Sequence, residues 1–187
     1  MGGRAGGGAA GGLGSRLRGE ISARQQLANK YLSAFNNQTL KKELTDAIYD
    51  FDKEFGMPDY TIISADLGKK YDGKMSPETK RIGIHSKYDD GKMSAKDAKH
   101  TMIHELAHTM DLGHSNTTSA RKDFNKKLTS LYKSFKSDYV RKNLHIGSYA
   151  LTNKHEFFAE AIAYHMTGRK DEYTTKVFKL AKSMIGK

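Results

Sequence analysis

Apolar residues recur every three or four positions along most of this chain, which is the spacing of helices that bury one face. Glycine, proline and capping residues divide the pattern into six predicted helices, at 20–36, 39–56, 95–110, 120–139, 153–165 and 171–185. Residues 60–64 are rich in β-branched side chains and residues 80–87 alternate apolar and polar positions, so both are predicted strands, with a loop over 66–77. This order predicts an α+β domain that is mostly helical and contains a small mixed sheet.

The first 19 residues depart from this pattern, because nearly all of them are Gly, Ala or Arg. Such a segment buries too little surface to offset its ordering entropy, so we predict a disordered Gly-rich tail over 1–19 and a domain over 20–187. No apolar run resembles a secretory signal or approaches the ~20 residues of a membrane span. The cellular location stays open, and export by a non-classical route is compatible with the chain.

The composition of the chain limits which metal ligands and which binding partners we expect. The chain has no cysteine, so no disulfide holds the fold and any zinc must be bound through nitrogen and oxygen. Its formal charge of +11 could attract nucleic acid, but no recognised nucleic-acid-binding motif accompanies that charge. We therefore expect no specific nucleic-acid partner and no membrane span, and we expect a monomer that acts on a protein or peptide.

The predicted helix over 95–110 contains the motif H-E-x-x-H. Residues four apart lie on one face of a helix, so His104 and His108 can bind one zinc ion together. Glu105 is rotated to lie beside the metal, where it can act as the general base that deprotonates the attacking water. The motif predicts a zinc-dependent peptidase, and the alternative is a buried helix with two histidines that hold no metal.

Zinc requires a third protein ligand, and two residues compete for that role. His114 has the offset seen in metzincins, but Asp111 stands where that pattern requires glycine. Glu156 and Glu160 lie four apart beside an apolar helix face, where two carboxylates are costly unless a positive group satisfies them. We assign Glu156 to zinc and Glu160 to a hydrogen bond that orients a ligating histidine. The alternative is that both carboxylates face solvent.

The strand over 80–87 carries Lys80, Arg81 and Lys87, and charge of this kind is typical of a sheet edge. We expect this edge strand to flank the active-site helix and to bind the substrate as an added strand, through Ile82, Gly83 and Ile84. An ordinary edge strand without that role is the alternative.

Two motifs together resemble a known family. The runs H-E-L-A-H-T-M-D and S-Y-A-L-T-N-K-H-E-F-F-A-E-A are similar to those of the catalytic domain of anthrax lethal factor and its relatives, including the clostridial Pro-Pro endopeptidases. These proteins are zinc endopeptidases of the gluzincin type, with a zincin-like fold. The resemblance extends from about Tyr60 to the end of the chain, and Ala107 departs from a glycine that is often seen there.

The resemblance implies a role for each matching residue. It implies zinc ligation by His104, His108 and Glu156, general-base catalysis by Glu105, support of the ligands by Glu160 and oxyanion stabilisation by Tyr149. Asp111 matches an acidic residue whose role we leave open. The resemblance and the Gly-rich leader together suggest a toxin, or a secreted or phage-associated effector.

Two other classes of function compete with a peptidase. One is a catalytically inactive zincin-fold module that docks a protein partner, with a structural zinc closed by His114 as fourth ligand. The other is a basic nucleic-acid binder, whose affinity would fall steeply with salt.

Overall fold

Seven α-helices and three strands make up the described part of the chain, which in this computed structural model comprises residues 10–112, 118–139, 141–142, 144 and 146–185, with side chains from residue 16. The helices are α1 (Ala10–Tyr31), α2 (Gln38–Phe55), α3 (Ser86–Asp89), α4 (Ala95–Asp111), α5 (Ser119–Tyr139), α6 (Lys154–Met166) and α7 (Glu172–Lys182). The strands are β1 (Thr61–Ala65), β2 (Gly73–Ser76) and β3 (Arg81–His85), and a 3₁₀ helix spans Ser148–Leu151. The predicted α+β class, mostly helical with a small mixed sheet, is confirmed.

The long helices begin close to where their capping residues predict. The side chain of Asn153 accepts hydrogen bonds from the backbone N–H groups of His155 and Glu156, and so starts α6. Asp171 starts α7 with a reciprocal capping box. Asn37 caps α2, because its side chain accepts from the N–H of Leu40, so this helix begins one residue before the predicted start.

The first helix begins earlier than the sequence predicts. It starts at Ala10, so it includes residues 10–19 of the predicted disordered tail. Alanine, leucine and arginine, which are good helix formers, make up half of residues 10–19. Residues 1–9 of the predicted tail lie outside the described residues.

The strand order is β1-β3-β2, so β3 is the central strand. It pairs in parallel with β1 and antiparallel with β2. The prediction that residues 80–87 form an edge strand is therefore wrong, although the strand itself is present over Arg81–His85. Backbone groups on both sides of Ile82, Gly83 and Ile84 are used within the sheet, so a substrate cannot add there as a strand.

An edge strand does flank the active-site helix, but it is β2, which lies within the predicted loop. Its sequence is Gly-Lys-Met-Ser, which has little intrinsic strand preference, and pairing with β3 supplies the order that propensity does not. Gly73 lies opposite Ile84, and Met75 lies opposite Ile82. Because Ile82 and Ile84 are fully buried, Gly73 and Met75 also face the interior, towards α4.

Helix α4 lies at the centre of the domain, where it packs against α2 on one side, α6 on another, and β2 and β3. Its apolar residues Met102, Ile103, Leu106 and Ala107 are fully buried. A helix enclosed on several sides holds its side chains in fixed positions, which suits a site that needs exact ligand placement. Within the described ranges, no helix is long and apolar enough to cross a membrane.

Candidate metal centre

Helix α4 presents His104 and His108 one above the other. Their rings are edge to face, with centroids 4.7 Å apart, and their Nε2 atoms are 3.0 Å apart. Both side chains are buried. Two ring nitrogens directed at one point in a buried location are the arrangement that the spacing of four residues predicts.

Helix α6 brings Glu156 to the same point from the opposite side. Its Oε2 atom lies 3.1 Å from His104 Nε2 and 3.3 Å from His108 Nε2. Ligands at about 2.0–2.2 Å from a tetrahedral zinc ion would lie roughly 3.3 Å from one another. The three donor atoms already form a triangle of that size, so these residues fit a divalent metal.

The chemistry of the three donor atoms favours a shared cation. When one imidazole Nε2 donates to the other, the accepting nitrogen carries no proton, so its lone pair faces the lone pairs of the shared carboxylate oxygen. Moreover, the Nδ1 atom of His108 has no hydrogen-bond partner among the described residues, so Nε2 is the only ring nitrogen that this side chain engages. One cation shared by the three donor atoms would satisfy all of them at once.

The shifted pKa values of the cluster also favour a bound cation. Burial lowers the pKa of His104, but its contacts with Glu156 and Glu160 outweigh burial and raise that pKa to about 10. Burial raises the pKa of the Glu156 carboxyl, whereas the hydrogen bonds with His104 and His108 lower it to about 2. A cluster that stabilises positive charge so strongly on a buried ring is suited to a divalent cation.

Glu160 lies one turn further along α6, behind the triangle. Its Oε1 atom is 3.1 Å from Nδ1 of His104, and its Oε2 atom is 3.4 Å from Nε2 of His100. The contact with His104 is an ion-pair distance without good hydrogen-bond angles. The structure thus places Glu160 where a carboxylate that orients His104 must lie, and that role stays a prediction.

His100 belongs to the site and was not singled out in the sequence. It lies one turn before His104 on α4, and its ring packs edge to face on Tyr164, with centroids 4.9 Å apart. With Glu160 and His104 it forms a second group that could hold a metal, through Nδ1 of His104. The signal that could have found it is the continued spacing of four: His100, His104 and His108.

Glu105 is 6% exposed and faces strand β2. Burial raises the pKa of its carboxyl, while His104, His108 and a hydrogen bond from the backbone of Met75 oppose that shift. A raised pKa makes a carboxylate a better proton acceptor near neutral pH. A β-carbon on Gly73 would lie 2.7 Å from Cγ of Glu105, so the absence of a side chain there leaves room for this carboxylate.

Tyr149 reaches the site from the 3₁₀ helix that precedes α6. Its ring centroid is 6.0 Å from that of His104, and the side chain is 50% exposed. Partial burial, followed by the charges of Glu156 and Glu105, raises the pKa of its hydroxyl. The hydroxyl therefore stays protonated and can donate a hydrogen bond.

Asp111, whose role the sequence left open, ends α4 in a buried network of charges. Its Oδ2 atom is 2.5 Å from Nδ1 of His155, and its Oδ1 atom is 3.4 Å from Nη2 of Arg121. Arg121 also donates to the carbonyl oxygens of Met110 and Asp111. This network joins the ends of α4, α5 and α6 beside Glu156. The competing ligand His114 lies outside the described residues.

An α+β domain with an H-E-x-x-H helix, a second-helix carboxylate beside the two histidines and a buried glutamate between them in sequence defines the class of metal-dependent peptidases. Comparison with family models gives a match to the glucose-regulated metallo-peptidase M90 family over residues 78–175. The match spans just over half of the chain, and the chain belongs to this family. It includes β3, α4 and α6, and therefore all of the proposed ligands.

The family found is not the lethal factor-like family that the two motifs resemble, but it supports the coarser prediction of a metallopeptidase domain, which implies a divalent metal. None of the curated proteins matches the chain, and neither does any solved structure.

Proposed function

We propose that this chain is a zinc-dependent endopeptidase, and the observation that carries the proposal is the triangle of donor atoms from His104, His108 and Glu156. These three residues would hold the ion, and a set of two imidazole nitrogens and one carboxylate oxygen favours zinc. The bound ion supplies Lewis acidity, which activates a water molecule and polarises the peptide carbonyl.

The protein's own groups move the protons. Glu105 accepts a proton from the attacking water and delivers it to the leaving amine, while the hydroxyl joins the carbonyl carbon and the C–N bond breaks. Tyr149 donates a hydrogen bond to the developing oxyanion, and donors of this kind contribute on the order of 10²-fold to turnover.

The substrate extends along the free edge of β2 rather than along β3. Strand β2 is the edge strand that borders the base, and its outer backbone groups are not used by the sheet. A peptide that adds there as a strand passes beside Glu105. This proposal replaces the expectation that the substrate binds along Ile82, Gly83 and Ile84. The physical reason is the same, because a peptide can add as a strand only at the edge of a sheet.

The experiment compares the wild-type chain with Glu105→Gln on a mixed peptide library, with zinc content measured for both. Glutamine keeps the size of the side chain and can still accept from Met75, so zinc content and folding should not change. Loss of the base should lower cleavage by about 10²-fold or more. Undiminished cleavage by Glu105→Gln would overturn the mechanism, and zinc binding without cleavage by the wild type would favour the inactive docking module.

The finer resemblance to the lethal factor-like and Pro-Pro endopeptidases rests on the two motifs, over 104–111 and 148–161. The same library tests it, because cuts concentrated between two prolines would support that assignment. Cuts at unrelated sequences would argue against it, while leaving the zinc endopeptidase intact.

A further inference from the structure

The entrance to the site beside β2 is basic and aromatic. Lys69, Lys70, Tyr71 and Lys74, which we call the basic rim, lie at the end of the loop before β2 and on β2 itself. Tyr71 is 39% exposed, and the ammonium groups of Lys70 and Lys74 lie 5.3 Å and 6.0 Å from the centroid of its ring. Both lysines thus gather around one exposed ring instead of spreading away from each other.

The basic rim is next to the reacting groups. Lys74 follows Gly73, whose backbone approaches Glu105 so closely that a β-carbon would lie 2.9 Å from Oε1 of that residue. Tyr71 is near enough to Tyr149 to contribute, after burial and two carboxylates, to the raised pKa of that hydroxyl. The rim therefore borders the candidate metal centre on the side where a substrate strand would lie.

The charge of the rim is not neutralised locally. Among the described residues, Lys69, Lys70 and Lys74 have no carboxylate within ion-pair distance, whereas Lys80 and Lys92 pair with Asp59 and Asp90. Asp72 is the single acidic residue within 69–74. The rim thus keeps a net positive charge, in a chain with a formal charge of +11.

Strand geometry determines which part of a substrate would meet this charge. Lys74 lies opposite Gly83, so it faces away from α4, while Gly73 and Met75 face towards it. In a peptide added beside β2, alternate side chains would point away from the metal centre and lie next to Lys74. Those side chains would lie near two or three ammonium groups. The same holds for the neighbouring residues of the peptide that extend past Tyr71.

We infer that the substrates of this peptidase are acidic peptide segments, with Asp or Glu close to the cleaved bond, and that Lys70 and Lys74 select them. The inference rests on the proposed function, because it names the substrate class of the same site. A solvated lysine surface with no such role is the alternative. Exposed ion pairs contribute about 0.2–1 kcal/mol each. Two such pairs would give a preference of up to about 30-fold in kcat/KM at low salt.

The test uses the zinc-loaded full chain on a mixed peptide library, with the residues around every cut site compared with those in the uncut peptides. The wild type should enrich Asp and Glu near its cut sites, and the enrichment should shrink as the salt concentration rises. The double variant Lys70→Glu/Lys74→Glu should lose or reverse the enrichment. The matched control is Lys126→Glu/Lys133→Glu, which makes the same charge change at two exposed positions on α5.

Each outcome decides the question. Acidic enrichment that is lost in the rim variant and kept in the control supports the inference. Cleavage without acidic enrichment overturns the inference and leaves the proposed function standing. Enrichment that both double variants change equally has the same consequence, because the net charge of the chain would then be the cause. Absence of any cleavage by the wild type would overturn the proposed function and the inference together.

Discussion

Gly73→Ala is the substitution that tests most directly how the general base is positioned. A β-carbon added at residue 73 would lie 2.7 Å from Cγ of Glu105 and 2.7 Å from Cγ2 of Thr101. Carbon atoms in contact prefer about 3.5–4.0 Å, so each contact is too short by roughly 1 Å. Residue 73 must be glycine because of this close approach and not because of its backbone angles, since its φ is not positive. Among the described glycines, positive φ is found at Gly56, Gly68, Gly91 and Gly168.

The relaxation should fall mainly on Glu105. Thr101 lies within α4, and its hydroxyl is 3.3 Å from that of the buried Tyr88, so it has little freedom to move. Either the Glu105 side chain rotates away or β2 moves outward, and both weaken the hydrogen bond from Met75 to the carboxylate. A displacement of about 1 Å in a catalytic group can lower turnover by about 10²-fold.

The assay measures kcat, KM and zinc content for Gly73→Ala beside Gly83→Ala, a matched control in the neighbouring strand. A β-carbon at residue 83 would lie 3.4 Å from Cδ2 of Leu67 and 3.7 Å from Cβ of Ala65, which are ordinary contacts. Gly83→Ala should therefore keep turnover, whereas Gly73→Ala should lose most of its kcat and still bind zinc. Normal kcat in Gly73→Ala would refute the reasoning, because it would mean that the base does not depend on this contact.

Three further outcomes follow from the contacts around the site. His100→Leu should weaken zinc binding about 10-fold by freeing Glu160, while His100→Gln, which keeps a donor, should restore most of it; a chelator competition assay measures both. Asp111→Ala removes the carboxylate that faces the buried Arg121, which keeps only its backbone acceptors, and should cost about 3 kcal/mol of stability, or roughly 6–12 °C in Tm by calorimetry; an unchanged Tm would contradict this. The hydrogen bond from Lys142 is the main cause that lowers the pKa of the Asp138 carboxyl. The ionised carboxylate of Asp138 therefore stabilises the fold above about pH 4, and this stabilisation is lost as the pH falls further. Acid titrations should therefore show a shallower decline for Asp138→Asn than for the wild type.

Much of the helical framework could be predicted from the sequence, because its signals are local. Apolar spacing and the caps Asn153 and Asp171 place α6 and α7 to within a few residues. The pairing of His104 with His108 is equally local, since a helix fixes it. Glu156 could be proposed because two carboxylates beside an apolar face require a positive partner, and the structure does bring it to the histidines.

The sheet could not be predicted in the same way, because strand order depends on contacts between distant segments. The charges of Lys80 and Arg81 at one end of β3 favoured an edge position, but Ile82, Gly83 and Ile84 are buried between two partners. The true edge, β2, has no local strand signal, so its pairing with β3 and its position against α4 are tertiary effects. The same is true of His155 and Arg121, which are unremarkable in sequence and meet Asp111 only in the folded chain.

The buried carboxylates of the metal centre and the exposed lysines of the basic rim act over different distances. They can therefore have different roles. The carboxylates of Glu105, Glu156 and Glu160 are largely or partly buried and act on histidines over contact distances, where solvent and salt screen little. The lysines of the basic rim are exposed and act across solvent, within a screening length of about 8 Å at physiological salt. In the proposed function, buried charge of the first kind holds the cation and sets proton affinities, so it would govern turnover. Exposed charge of the second kind changes how often an oppositely charged peptide arrives and stays, so it governs kcat/KM at low substrate concentration. Because β2 carries Lys74 on its outer face and leaves room for Glu105 on its inner face, this one short strand would connect the inferred substrate selection to the proposed chemistry.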